Sequence, residues 1–262
     1  MQSFFRYPGG KNKIKSIIID KLNSLYKPGV EYIEPFFGGG SIGLNCAFHK
    51  MWINDKDIGI YSLWFSVIHT PNKLNELIWG FRPSVDVFYQ YKEDLLSNKQ
   101  HDILQLAFKK LVVHQLSYSG LGVKSGGPLG GKAQNSKYKI DCRWSPDYIC
   151  KKIDIIHNNL AKKDVKCTCQ DFSTLVDIPN SLLYLDPPYW EKGKDLYQEW
   201  FTPKNHGRLC DMLKKTPNKW VLSYDDCSYI RELYNWAKIE EITVNYNIKT
   251  SRTRTELLIT NA

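Results

Sequence analysis

Between Glu31 and Asp55 the chain runs from a short apolar stretch, Glu31-Tyr32-Ile33-Glu34, through Pro35-Phe36-Phe37-Gly38-Gly39-Gly40-Ser41 to a second one, Met51-Trp52-Ile53-Asn54-Asp55. Ile42 to Phe48 between them reads as a helix. Strand, glycine-rich turn, helix, strand is how a doubly wound α/β sheet begins, so this stretch constrains the fold class more than any other. Glycines in such a turn let backbone come close to a ligand, and the helix after it presents free N–H groups. A tight turn that needs glycine for packing alone fits the same residues. G-x-x-x-x-G-K-[ST] is absent, so a P-loop is unsupported, and the turn is not read as a G-x-G-x-x-G fingerprint either, which disfavours a nicotinamide-linked dehydrogenase. Asp55 closes the second strand, where a carboxylate takes ribose hydroxyls. Asp57, two positions on, is a rival.

The rest of the chain divides around this unit. Ile14 to Tyr26 has apolar residues at helical spacing and predicts an amphipathic helix. From about residue 60 to 164 strand signals fade, and helical segments surround a glycine- and lysine-rich stretch from Ser117 to Lys139. Strand signals return at Val165–Thr168, Leu182–Leu185, Trp220–Ser223, Ile239–Tyr246 and Glu256–Thr260. The expectation is an α/β catalytic domain split into residues 1–59 and 165–262, with a mainly helical insertion over 60–164.

The net charge of +9 favours an anionic partner, nucleic acid first. Residues 101–164 hold eleven Lys/Arg against five Asp/Glu, a net of +6, so most of the charge lies in the insertion. Seven cysteines form no C-x-x-C pair, and neither a zinc site nor a disulfide framework is readable, which fits a reducing interior. The N-terminus has no apolar core long enough for a signal peptide, and no apolar stretch approaches membrane-spanning length. A soluble, cytoplasmic protein is expected.

Asp186-Pro187-Pro188-Tyr189, with Trp190 after it, follows the apolar run Leu182-Leu183-Tyr184-Leu185 and so lies at the C-terminal end of a buried strand. In an open α/β sheet ligands bind there. The prolines rigidify the turn and donate no N–H, which leaves carbonyls free to accept. A carboxylate, free carbonyls and an aromatic face together suit a planar ligand with an exocyclic amine, such as adenine. An ordinary Asp-Pro turn is the alternative. Asp171-Phe172 ends another strand and either reads an adenine's amine and ring or caps a helix with Phe172 in the core. Tyr7-Pro8-Gly9-Gly10-Lys11 delivers one lysine from a flexible turn, suited to a carboxylate or phosphate, although a disordered basic tail is the default for this segment alone.

YPGGK, EPFFGGGS, NDKD, a variable insertion, QDF, DPPYW and SYDD, in that order, make the chain resemble the Dam-like N6-adenine DNA methyltransferases over nearly its whole length. The resemblance implies a Rossmann-like sheet, S-adenosyl-L-methionine as cofactor, and double-stranded DNA as substrate. It implies neither metal nor membrane, and a monomer is expected. Tyr7, Gly9, Gly10, Lys11, Glu34, Pro35, Phe36, Gly38, Gly40, Ser41, Asp55, Asp171, Phe172 and Asp186 match its cofactor-binding positions. Asp186, Pro187, Pro188 and Tyr189 match its catalytic turn, which receives a flipped-out adenine. DNA contacts are expected from Arg6, Tyr118, Ser119, Leu121, Lys124, Lys132, Lys137, Lys139 and Arg143.

One position departs from the pattern. Members that read GATC carry N-G-L-x-R, and here Tyr118-Ser119-Gly120-Leu121-Gly122-Val123 puts valine where the arginine contacts a base. Valine cannot donate to a base edge, and lysines elsewhere in the insertion make phosphate contacts without sequence information. Relaxed or very short-site recognition is the expectation. Tyr118 is either a wedge near the flipped base or packing at the end of the preceding helix. Lys192-Gly193-Lys194 is expected in a loop over the base or near the DNA backbone, Ser223 to Asp226 as a wall of the target pocket, and Arg252 and Arg254 before the last strand, in a solvated turn or touching phosphate. Methyl transfer to RNA adenine or cytosine N4, or an inactive nucleic-acid-binding homologue, are the other readings.

Overall fold

A computed structural model of the chain describes residues 1–7, 11, 13–97, 102–191, 201–246 and 252–261. Helix α1 (Lys15–Leu25) leads into β1 (Glu31–Glu34) and β2 (Lys50–Asn54). Helices α2 (Ile58–His69), α3 (Pro71–Gly80), α4 (Val85–Leu96), α5 (Ile103–Leu116) and α6 (Pro146–Leu160) follow before β3 (Asp164–Thr168) and β4 (Ser181–Leu185). The chain continues through α7 (Pro203–Lys215), β5 (Lys219–Asp225), α8 (Ser228–Leu233), β6 (Lys238–Tyr246) and β7 (Arg252–Thr260).

Among the described residues the strands form a seven-stranded sheet in the order β3-β2-β1-β4-β5-β7-β6. Neighbours from β3 to β5 pair in parallel, whereas β7 runs antiparallel to both β5 and β6. Strand order therefore reverses between β1 and β4, and the turns leaving these two strands share one edge. That is the place where open α/β sheets bind ligands.

Side-chain alternation sets the two faces. Tyr32, Leu182, Tyr184 and Val221 point into one apolar cluster, while Ile33, Leu183, Leu185, Trp220 and Leu222 point into the other. All five residues of β4 are buried, as a strand covered on both faces requires. The first cluster is closed by α1 through Ile18 and Leu22, and by helices of the 58–160 segment through Trp64, Leu111 and Ile153. The second is closed by Leu209, Leu213 and Ile230 of α7 and α8. Apart from an isolated bridge between Ser117 and Pro128, no strand occurs among the described residues between α2 and α6.

Two expectations change. Ile42 to Phe48 does not form a helix; only Gly43–Asn45 makes a 3-10 turn. Contacts from distant parts of the chain override the local pattern. The Gly43 N–H donates to the Glu34 carboxylate at 3.0 Å, and the Asn45 amide donates to the carbonyls of Met1 at 2.9 Å and Ser41 at 3.0 Å. Arg252 and Arg254 lie within β7, paired with Tyr246 and Val244, and not in a turn before it. Lys192-Gly193-Lys194 lies outside the described residues.

The carboxyl edge is knotted by Asn54, which is 2% exposed. Its amide donates to the carbonyls of Pro35 and Gln170, both at 3.0 Å, and its side-chain oxygen accepts from the Thr168 hydroxyl at 2.8 Å and the Gln170 N–H at 2.9 Å. One side chain thus ties the chain leaving β1, β2 and β3. Asn54→Ala would strand these buried partners and is expected to lower the unfolding free energy by about 2–4 kcal/mol, read from the urea midpoint.

Candidate active site

The turn after β1 is built from below. Gly38 (φ +47°) and Gly40 (φ +69°) occupy the left-handed region, which disfavours any side chain. A Cβ on Gly38 would lie 2.7 Å from the Tyr7 ring, so Tyr7 packs directly on the turn. The Trp64 indole donates to the Gly38 carbonyl at 2.8 Å, and the Phe37 N–H to the Asn54 carbonyl at 2.8 Å. Glu34 is 2% exposed and accepts from the Tyr32 hydroxyl at 2.7 Å as well as from Gly43. Burial raises its pKa well above the ordinary carboxylate range. Pro35 is buried, and Phe36 and Ser41 are partly exposed. Gly38, Gly40 and Gly43 do keep the spacing G-x-G-x-x-G, a match that the reading of the turn overlooks. The helix which that fingerprint needs after its last glycine is absent here, where only the Gly43–Asn45 turn follows.

Asp55 and Asp57 separate cleanly. Asp55 accepts from the Gly38 N–H at 2.8 Å through one oxygen and from the Asp57 N–H at 2.9 Å through the other. Burial first, and the Asp57 charge second, push its pKa up to about 7. It borders a groove whose lining includes Phe37, Ile53, Tyr61 and Cys167. Asp57 instead caps α2 through the N–H groups of Gly59 and Ile60, and its other oxygen pairs with the buried Lys110 ammonium. Lys110 holds its pKa down against the opposing effect of burial.

Asp171 accepts from the Ser173 N–H at 3.1 Å and hydroxyl at 2.7 Å, capping a 3-10 turn, and also takes the Arg208 guanidinium. These bonds pull its pKa down to about 2. Phe172 is 3% exposed beneath Phe36 and Phe201, with Arg208 over its ring. The capping arrangement is thus the one observed.

At the end of β4, Asp186 forms an ion pair with Lys11 at 2.8 Å and accepts from the Ser223 hydroxyl at 3.0 Å. Burial raises its pKa, and Lys11 opposes the rise. The same ammonium lies 4.6 Å from the centre of the Tyr189 ring. The Tyr189 hydroxyl donates to Glu256 of β7 at 2.8 Å. Asp225 accepts from the N–H groups of Trp190 at 3.1 Å and Glu191 at 2.9 Å, and Trp190 stacks on Tyr229 at 3.8 Å. Pro187 is buried and Pro188 partly exposed. Gly9 and Gly10 lie outside the described residues.

The candidate nucleic-acid contacts form a separate group. Arg6 donates to the Ser117 carbonyl at 2.9 Å, and a Cβ on Gly120 would meet the Arg6 side chain at 2.9 Å. His114 stacks on Tyr7 and donates from Nδ1 to the Gly120 carbonyl at 3.1 Å, its pKa pushed down to about 3 by burial and Lys110. On this support Tyr118 is 67% exposed, so it is not packing at the helix end. Ser119 (φ +57°) is exposed and Leu121 half-buried, while Val123 is buried. Lys124, Lys132, Lys137, Lys139 and Arg143 are exposed. Lys109, Lys110 and Lys163, all counted in the basic stretch, are engaged instead with Asp94, Asp57 and the Cys46 carbonyl.

Glu256 and Arg208 act at these sites without any local motif to mark them, while Asn54 opens NDKD and Ser223 opens SYDD, motifs that do not themselves single these two residues out. No group of three or more His, Cys, Asp or Glu that could hold a metal occurs among the described residues, and none of their helices is long and apolar enough to cross a membrane.

The sequence profile of the D12 class N6 adenine-specific DNA methyltransferases matches residues 7–248. The type II methyltransferase M1.LlaDCHI of Lactococcus lactis subsp. cremoris is 25% identical over 286 residues, covering 100% of this chain and 95% of the relative. The DNA adenine methylase of Escherichia coli (strain K12) is 22% identical over 264 residues, covering 95% and 90%. The type II methyltransferase M.MjaIII of Methanocaldococcus jannaschii is 25% identical over 211 residues, covering 72% and 69%.

The division of labour between the two acids is testable. Asp57→Ala removes the α2 cap and takes the carboxylate from a buried ammonium, so it should destabilise the fold by about 3–5 kcal/mol in a denaturant titration.

Proposed function

The chain belongs to the D12 class N6 adenine-specific DNA methyltransferase family, and from that premise we propose that it moves a methyl group from S-adenosylmethionine to the N6 amine of an adenine flipped out of duplex DNA. The observation that carries this reading is the Asp186–Tyr189 turn, held at the end of β4 beside the glycine turn of β1. Methyl transfer to RNA, to cytosine N4, or inactivity is not favoured by the family or by the names of the relatives.

The donor set at the β1 and β2 tips fits this cofactor. Asp55 is an acceptor aimed by two N–H groups, the glycine turn keeps side chains off the edge, and Phe36 offers a partly exposed aromatic face. Asp55 would hold the ribose. Tyr7, Pro35, Gly38, Gly40 and Ser41 would line the cofactor, with Gly9 and Gly10 assigned by sequence alone. Buried Glu34 would act through the turn it braces. Asp171 would meet the adenine's amine in competition with Arg208, and buried Phe172 would support the Phe36 face beside it. S-adenosylmethionine supplies, when bound, an electrophilic methyl on a sulfonium.

The chain's own part is alignment. Conjugation draws the N6 lone pair into the adenine ring, so the amine is a poor nucleophile. The Asp186 carboxylate and the Pro187 carbonyl accept its two hydrogens, and Pro188 keeps the turn rigid. Both bonds favour a tetrahedral nitrogen and stabilise the positive charge that grows on it. Tyr189 stacks on the base. Lys11 favours the ionised form of Asp186 against the effect of burial and occupies the place of a donor nitrogen until the amine displaces it. Asp186→Ala should abolish methyl incorporation while the protein stays folded by circular dichroism; retained transfer would refute the assignment.

Residues 60–164 act as the DNA-reading segment of a split catalytic domain, in a monomer working in the cytoplasm. Arg6 and Leu121 shape the loop that presents Tyr118 and Ser119 to the target. Lys124, Lys132, Lys137, Lys139 and Arg143 contact phosphate. Buried Val123 cannot read a base, so recognition is relaxed or very short. Sequencing methylation marks after expression in a methylation-free host should show adenines in many contexts, and a single long site would count against it.

A further inference from the structure

Setting β7 antiparallel beside β5 places Asp225 directly opposite Glu256. Like charges facing each other across a strand pair are destabilising, yet each carboxylate here has an occupation on the β4 side. Asp225 accepts the two main-chain N–H groups that follow Tyr189, and Glu256 accepts the Tyr189 hydroxyl itself. Main chain and ring of the turn are thereby anchored by two acids from neighbouring strands. Burial, with the nearby charges of Asp186 and Glu256, raises the Tyr189 pKa, so the phenol keeps its proton and remains the donor.

The ring packs against the second apolar cluster and under the Lys11 ammonium, 4.6 Å from its centre, and neither of these contacts has the directionality of a hydrogen bond. The ring's neighbour Tyr224 is 6.2 Å away between ring centres at an interplanar angle of 37°, too far and too inclined to act as a stacking platform. Among the described residues the bond at the ring's polar end is thus the directional constraint on the angle of the face that meets a base. We infer that Glu256 is a positioning residue for methyl transfer: by taking the Tyr189 hydroxyl it aims the ring that holds the target adenine against Asp186. This rests on the function proposed above and adds to it a residue outside every motif of the chain.

The test is kinetic. Glu256→Ala and Tyr189→Phe should each lower kcat by about 10- to 100-fold, the range expected when a reacting group is misplaced by about 1 Å. The KM for DNA and the affinity for S-adenosylmethionine should change by less than about threefold. Because both variants break the same bond, the double variant should be no slower than the worse single one. Glu256→Gln keeps an acceptor and should restore kcat to within about threefold of the parent. Losses that multiply in the double variant, or an alanine variant that is slow only in proportion to a lowered thermal midpoint with no rescue by glutamine, would overturn the inference. Methyl transfer by the parent protein, abolished by Asp186→Ala, would leave the proposed function standing in either case.

Discussion

The pairing of β1 with β4 is the constraint on which the rest of the molecule depends. These strands are separated by the whole helical segment in sequence, yet Tyr32 lies beside Leu182 and Ile33 beside Leu183 in parallel register. Parallel register sends both chains out at the same edge, so the glycine turn and the Asp186 turn become neighbours. Neither turn could form a two-substrate site alone. Closing a loop of that length costs conformational entropy that only burial can offset, and here strands with both faces covered supply it. The edge then needs its own bonds, because backbone groups leaving a sheet have lost their ladder partners. Asn54 and Glu34 provide several of them.

A second theme is the concentration of carboxylates along this edge. Burial first, with the charges of Asp186 and Asp55 adding to it, raises the pKa of Glu34, and burial first, with the charge of Glu256, raises that of Asp186. Each of Glu34, Asp55 and Asp186 is supplied with donors from main chain, hydroxyl or ammonium. The result is an edge of hydrogen-bond acceptors with fixed geometry, suited to stabilising positive charge that develops beside it. Preorganised acceptors of this kind need no reorientation when charge develops.

Much of the scaffold was legible because burial leaves a pattern. Leu182 to Leu185 is continuously apolar and is a strand buried on both faces. The amphipathic stretch from Ile14 to Tyr26 is α1, with Ile18 and Leu22 inward. Ile42 to Phe48 misled, because its apolar residues face a core while Glu34 and Met1, distant in sequence, take the bonds a helix would have used. Lys110 counts toward the basic charge of residues 101–164, although it is buried against its partner Asp57. Asp171 had two readings that only the neighbouring Ser173 and Arg208 separate. Glu256 carried no signal at all, since its role exists only after β7 is laid beside β5.

That arrangement has a consequence for how the molecule is made. β7 follows β6 in the chain but lies inside it in the sheet, between β6 and β5. A growing chain that has released β6 must leave a gap one strand wide, or pair β6 provisionally with β5 and later separate them. Throughout that interval every recognisable motif from Tyr7 to Trp190 is already outside the ribosome, and Glu256 is not. Synthesis thus delivers these motifs before the carboxylate facing Tyr189, which ties the maturation of the site to the closure of the sheet.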